Sequence, residues 1–412
     1  SWRVDEVNEV QAEPRWQGPV WNFSTADYGV VDDMDSYTDD IDAGTAIFQT
    51  WIDGWENGSG ALVGYFDAPF AERTIVNGGR QSMPLEYDNT ASPNYSETVR
   101  TFDPPRDWTA HGVQALGLYF RGEPDNSGQL YVRINGTKAD YDGDPDDIAG
   151  ILWQPWNIDL SAVGADLSEV TELTIGIEGA GSSGMLYIDD IRVYPEAVEY
   201  ITPTEPDAAS LVARYSLDGN VSDGSGHGYD GSAVGSPTYV AGVDGQAIQL
   251  NGTDQYVDLG NPSDWPAGRA PRSLAGWGKP GAVYAGWRWI ASYGSAGTGT
   301  ACFIGMNGTD LYGGGYGDDI MLAGFWELDE WHHAAVTYDG TTAKLYADGI
   351  EVVSAAKNWD LPLSRAVIGQ QVNDFSEFWV GSVDEVRLYD RALSADEVAW
   401  LAGRTMPMHK SF

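Results

Sequence analysis

Short segments in which apolar and polar residues alternate recur along the chain, with Gly, Asn, Asp and Pro between them. Between residues 27 and 195 they include "RTIVNGGRQSMPLEYDN", "ALGLYFRG", "GQLYVRING", "PWNIDLSAV" and "LTIGIEG". A period of two with closely spaced turn residues predicts the strands of a β-sandwich or jelly roll. No stretch of useful length carries the 3.6-residue period of a helix. The segment closes on "YIDDIRVYP", residues 187–195, a strand in which Ile188, Ile191, Val193 and Tyr194 surround the paired carboxylates Asp189 and Asp190.

A second β-rich segment runs from 209 to 403. It opens on "SLVARYSLDG" and ends "VDEVRLYDRALSADEVAWLAG", so an acidic pair, Asp384 and Glu385, again sits inside an apolar strand. The tail of this phrase predicts the one clear helix. Ser394 is the N-cap, Glu397 completes a capping box, Leu393 precedes the cap, and Val398 and Leu401 form an apolar face. Residues 1–26 alternate around a polar turn and predict a β-hairpin. Residues 196–208, with two prolines and no alternation, predict a linker, and 404–412 a frayed tail. The expected fold class is all-β: two tandem jelly-roll or β-sandwich domains, at 27–195 and 209–403, with one short C-terminal helix.

Composition changes this picture in one respect. Of 412 residues, 62 are Asp or Glu against 22 Lys or Arg, a formal charge of −40. Such a field repels nucleic acid and anionic membranes, so neither is an expected partner. No run approaches the ~20 apolar residues of a membrane span. Cys302 is the only cysteine, so no intramolecular disulfide can form.

Several phrases carry family resemblance. The second segment resembles the LamG-like jelly-roll domains of the concanavalin A-like lectin/glucanase superfamily. The match lies in "LVARYSLDGNVSDGSGHGYDG", "GQAIQLNGTDQYVDLG", "ELDEWHHAAVTYDGTTAKLYADGIEV" and "VGSVDEVRLYDRALSADEVAWL". One departure is "LAGWGKPG", where Gly278 replaces the usual apolar residue and predicts a bulge or early end of the strand. The first segment is similar to family 11-type carbohydrate-binding modules, through its opening "VVDDMDSYTDD", its closing "DDI" and the central "WNIDLSAV". The hairpin "SWRVDEVNEVQAEPRWQGPVWNFSTA" resembles the last two strands of a fibronectin type III-like module. The serial arrangement resembles large secreted or surface proteins of planctomycete-type bacteria, and the chain is expected to be part of a longer one.

The repeated acidic pair then has an expected role. A jelly roll makes its first and last strands neighbours, and alternation would bring Asp33 and Asp35 beside Asp189. Three carboxylates at one spot repel unless neutralised, and calcium takes 6–8 oxygens from such groups. The resemblance implies the same structural calcium, with Asp218 or Asp223 and Asp384 as the equivalent set in the second domain. The competing role for these aspartates is turn capping.

No catalytic constellation is expected. Relatives that hydrolyse glycosides carry two acids on one strand face, about 5–5.5 Å apart. The nearest candidate, "ELDEWHH", puts Glu327 and Glu330 on opposite faces, with Trp331 where the acid should stand. His332 and His333 are adjacent, so they cannot clamp one ion. Carbohydrate binding needs aromatic faces with flanking polar groups. Trp51, Asp53 and Trp55 in "QTWIDGWENGSG", and Trp287 and Trp289 in "YAGWRWIASYG", are the candidates. The expected function is a non-catalytic, secreted or cell-surface protein that binds extracellular polysaccharide or glycoconjugate and is stabilised by calcium. The alternative is a structural or adhesive surface protein whose LamG-like domain binds proteins or acts as a spacer, and a catalytic module elsewhere in a longer chain stays open.

Overall fold

The computed structural model describes residues 27–283, 286–373 and 377–412, together with strands at 2–3, 6–7, 15–16 and 20–21. Alternation has its expected consequence: these strands build β-sandwiches. The early strands pair antiparallel, Trp2 opposite Trp21 and Glu6 opposite Trp16. Backbone contacts divide the chain into two units, residues 1–199 with 409–412, and residues 200–408.

In the first unit a six-stranded sheet has the order Gln154–Asp159, Ala115–Arg121, Ser183–Tyr194, Met83–Asp88, Ala61–Val63, with Gly29–Asp32 added to Ser183–Tyr194. A five-stranded sheet has the order Thr137–Asp140, Gln129–Ile134, Val170–Glu178, Tyr95–Arg106, Trp51–Ile52. Their inward residues, among them Met34, Trp51, Leu116, Leu118, Trp156 and Ile175, form one core. The last residues are ordered rather than frayed, for Phe412 stacks on Tyr194 at 4.1 Å and Asn157 Nδ2 donates to the Lys410 carbonyl.

In the second unit Val380–Tyr389 lies centrally in an eight-stranded sheet, flanked by Gln246–Asn251 and Leu211–Tyr215 on one edge and Arg272–Pro280 on the other. A seven-stranded sheet faces it, with Trp287–Gly294, Ala301–Asn307, Asp310–Gly314 and Asp319–Leu322 as successive neighbours. Gly278 neither bulges nor ends its strand, which runs through to Pro280. A β-carbon there would lie 2.6 Å from Ile290, 3.1 Å from Trp379 and 3.2 Å from Trp326, so the glycine makes room for the indoles. The helix Ala395–Leu401 starts at Ser394 with the expected capping box, and its Val398 and Leu401 pack with Ala275, Ala335 and Tyr389. Two single helical turns, Gly54–Asn57 and Leu160–Val163, were not anticipated.

Each sandwich is closed in the same way. Along one edge of Ser183–Tyr194 the partner changes from Met83–Asp88, which ends opposite Ile188, to Gly29–Asp32, which begins opposite Ile191. Along Val380–Tyr389 it changes from Gln246–Asn251, ending opposite Val383, to Leu211–Tyr215, ending opposite Val386. The residues left between partners are Asp189 and Asp190 in one unit, Asp384 and Glu385 in the other. On the opposite edge both strands carry a bulge at this point, and Asp190 and Glu385 take the left-handed conformation, with φ of 51° and 47°.

A backbone loop fills the gap, held by carboxylates. Asp189 Oδ2 accepts the N–H groups of Asn77 (2.9 Å) and Gly78 (3.1 Å), and its Oδ1 accepts that of Asp190 (2.8 Å). Asp384 Oδ2 likewise accepts Val243 (2.8 Å) and Asp244 (3.4 Å), and its Oδ1 accepts Glu385 (2.8 Å). On the far side of each loop Asp35 accepts the Arg80 N–H at 2.7 Å and Asp218 the Gln246 N–H at 2.6 Å. Met34 and Leu217, which precede these two aspartates, share a φ of 59° and 58°. Gly79 and Gly245 have φ of 68° and 67°, and a β-carbon on either would collide with the Asp35 or Asp218 carboxylate. The second acid of each pair binds the arginine two residues on: Asp190 with Arg192 at 2.5 Å, Glu385 with Arg387 at 2.6 Å and also Arg214 at 3.0 Å.

Two predictions follow from this geometry. A chain beginning at Asp27 is expected to stay soluble and to unfold cooperatively, its melting temperature within about 4 °C of the full chain, equivalent to about 1 kcal/mol; aggregation would mean that the hairpin covers an apolar face. Asp189→Asn sets an amide N–H against backbone N–H groups, so it should destabilise the first unit by about 1–3 kcal/mol. Asp384→Asn should do the same to the second, and calorimetry of both variants checks that the losses fall on separate units.

Candidate functional site

The carboxylates expected to cage calcium are used differently. The opening strand ends at Asp32, so Asp33 and Asp35 do not share a strand face, and Asp33 accepts the Asp35 N–H at 3.3 Å. Asp35 and Asp189 do converge, but on the loop Asn77–Arg80, whose N–H groups take their oxygens. Asp218 and Asp384 converge in the same manner on residues 243–246. Asp223 closes its own turn, accepting N–H groups from Arg214, Ser225, Gly228 and Tyr229. Among the described residues no three His, Cys, Asp or Glu side chains are grouped to hold a metal. The residues do not fit a three-carboxylate calcium cage, because backbone donors already supply the neutralising partner. Burial, with the charge of Asp190, still pushes the Asp189 carboxyl up to about 7, and burial brings Asp384 to about 6.

Trp51 is a core residue at 0% exposure. Its two-residue strand pairs with Tyr95–Arg106 at the rim of the five-stranded sheet, and its indole donates to Asp32 at 2.9 Å. Asp53 is also buried, as the N-cap that accepts the Trp55 N–H at 3.1 Å and the Val63 N–H at 2.8 Å. Neither can meet a sugar. Trp55, on the single turn that Asp53 caps, projects freely at 81% exposure.

Trp287 and Trp289 do share a face, and it is the outer one. Ile290 points inward, toward Gly276 and Gly278 of the opposite sheet, which sends Trp287 and Trp289 outward. There the two indoles stack at 5.8 Å. Trp287 also meets Tyr312 at 4.5 Å, and Trp289 meets Phe303 at 4.0 Å and Tyr316 at 6.4 Å. Trp289 itself is 2% exposed and donates its indole N–H to Glu377 at 2.6 Å, while Trp287, Tyr312 and Tyr316 stay partly exposed. Sequence reasoning missed Tyr312, Tyr316 and Glu377. Tyr312 lies two strands from Trp289, opposite Gly305, and only the strand order makes them one surface.

The acids of "ELDEWHH" lie ahead of the strand His332–Tyr338, in a turn where Asp329 has a φ of 61°. They share no strand face. His332 bonds Asp348 at 2.9 Å, which counters burial and raises its pKa. Alternation puts His333 on the opposite side of the strand from His332, where it lies buried against Trp277 at 5.3 Å, and burial lowers its pKa to about 4. The face that includes neighbouring Ala335 is covered by the C-terminal helix.

Among solved structures, domain 4 of AbnA, an extracellular GH43 arabinanase of Geobacillus stearothermophilus bound to arabinotriose, is 24% identical, with 47% of this chain and 98% of that one covered and a TM-score of 0.39. The binding domain of Paraclostridial Mosquitocidal Protein 1 is 15% identical, with 47% and 52% covered and a TM-score of 0.41. The botulinum neurotoxin serotype G binding domain is 14% identical, with 47% and 50% covered and a TM-score of 0.38. The chain therefore spans about half the length of the two toxin domains. No curated protein matches it. A family model does match residues 251–399, a stretch that holds both the outer aromatic face and the Asp384–Glu385 pair. That model is Laminin_G_3, of the Concanavalin A-like lectin/glucanases superfamily, and residues 251–399 are similar to it.

Proposed function

We propose that the protein is a non-catalytic extracellular binder of polysaccharide or glycoconjugate, and that it holds the sugar on the outer aromatic face of its second unit. The observation that carries this reading is the placement of Trp287, Tyr312 and Tyr316 outside the core. Rings that only fill an interior would sit between the sheets; these are held at the surface by a buried floor of Trp289 and Phe303. Aromatic rings with a polar rim are the means by which proteins grip sugar rings, and Glu377 supplies a carboxylate at that rim. The superfamily of residues 251–399, which includes lectins, supports the same reading. Trp55 is a second, separate contact candidate on the first unit. The non-catalytic part of the proposal rests on the acids: the one stretch resembling a glycosidase motif forms a turn.

Trp287→Ala is expected to weaken retention on an insoluble polysaccharide about fivefold, the ~1 kcal/mol of one aromatic contact, with the second unit still melting as a cooperative unit. Pull-down on a panel of insoluble polysaccharides, with Trp55→Ala alongside, checks both faces. If the full chain is retained by none of them, or if Trp287→Ala and Trp55→Ala bind as the parent does, the glycan reading fails and a spacer or protein-binding role replaces it.

A further inference from the structure

The first unit carries a cleft of about 720 Å³ that none of the residues discussed above as contacts occupies. It lies between the opening strand Gly29–Asp32, the end of the long strand Tyr95–Arg106 and the turn Ala110–Gly112. Phe102 and Trp108 form its buried floor, their rings edge to face at 6.1 Å. Val30, at 56% exposure, stands at the lip.

Beside this floor stands a pair of arginines on one strand. Arg100, Phe102 and Arg106 alternate along one strand, and both guanidinium groups approach the Phe102 ring, at 5.5 and 6.0 Å. Arg100 is paired with buried Asp32, which also accepts from Trp51 and Tyr37. Arg106 lines the cleft with no ion pair among the described residues. Two carboxylates, Asp27 and Asp107, also line it, and Asp107 accepts the backbone N–H and the hydroxyl of Thr109 at 2.8 and 2.6 Å. His111 adds a second basic group. Burial, and after it the charge of Arg106, bring the Arg100 guanidinium down to about 10. An apolar cleft of this size with one open guanidinium suits a ligand that is part ring and part carboxylate, since arginine binds carboxylates through two parallel N–H donors.

We infer that this cleft binds a small ring-bearing carboxylate, its ring against the apolar wall and its carboxylate on Arg106. Two sources share this chemistry, the uronic acid end of an acidic oligosaccharide and a free aromatic acid.

The test titrates the full chain with digalacturonic acid and with p-coumarate, each beside its methyl ester, and follows tryptophan fluorescence and chemical shifts. At least one acid should bind, with its ester at least tenfold weaker. Arg106→Gln, an exposed position whose change should leave the melting temperature unmoved, should weaken the acid at least tenfold as well. Binding of digalacturonic acid alone assigns the site to an acidic saccharide, and binding of p-coumarate alone to an aromatic acid. Binding by neither acid, equal binding of acid and ester, or Arg106→Gln equal to the parent overturns the inference. Trp287→Ala should bind the acid as the parent does, so failure of the glycan face and failure of this cleft are read separately.

Discussion

The structure depends on two buried carboxylates, Asp189 and Asp384, each fully enclosed at the point where a closing strand changes its neighbour. A strand that loses one edge partner before gaining the next leaves backbone donors with no ladder to join, and each buried unpaired group costs about 1–3 kcal/mol. A carboxylate can accept several N–H bonds at once. Asp189 satisfies two donors of the loop and one of its own strand, and Asp384 does the same. These donors offset part of the cost of burying a charge, and burial still raises the pKa of both carboxyl groups. The opening strand, the loop and the closing strand are thereby locked together in one motif, made twice with matching backbone angles.

This arrangement separates what holds each sandwich from what a ligand can reach. Asp35, Asp189, Asp218 and Asp384 accept backbone N–H groups, and Trp51 is a core residue whose indole shares Asp32 with Arg100. Surface chemistry is left to other residues: the aromatic face around Trp287, the projecting Trp55, and the guanidinium of Arg106 above Phe102. None of them lies at a strand junction.

Much of the architecture was legible because it is local. Alternation located the strands, "YIDDIRVYP" and "SVDEVRLYD" marked the two closing strands, and Ser394 with Glu397 located the helix. The failures are contacts between distant segments. "RTIVNGGRQSMPLEYDN" reads as one strand-like run, yet only Met83–Asp88 is strand; Asn77–Arg80 is the loop whose N–H groups meet Asp189 and Asp35. Nothing in local pattern distinguishes a carboxylate that binds calcium from one that binds backbone donors. Trp51 looked like a loop residue because its strand is two residues long and its burial comes from the sheet opposite. His333 faces away from His332 as alternation requires, but burial on that side of the sheet depends on what is packed there, which alternation does not report.

Amide hydrogen exchange tests the central claim most directly. It would be followed at Asn77, Gly78, Val243 and Asp244, once with calcium and once with chelator. Loop amides bonded to a buried carboxylate should exchange only as their unit unfolds, at rates near those of the core strands and unchanged by chelator. Rapid exchange under both conditions, or protection that appears only with calcium, would contradict the account and return the acidic pairs to the role of metal ligands.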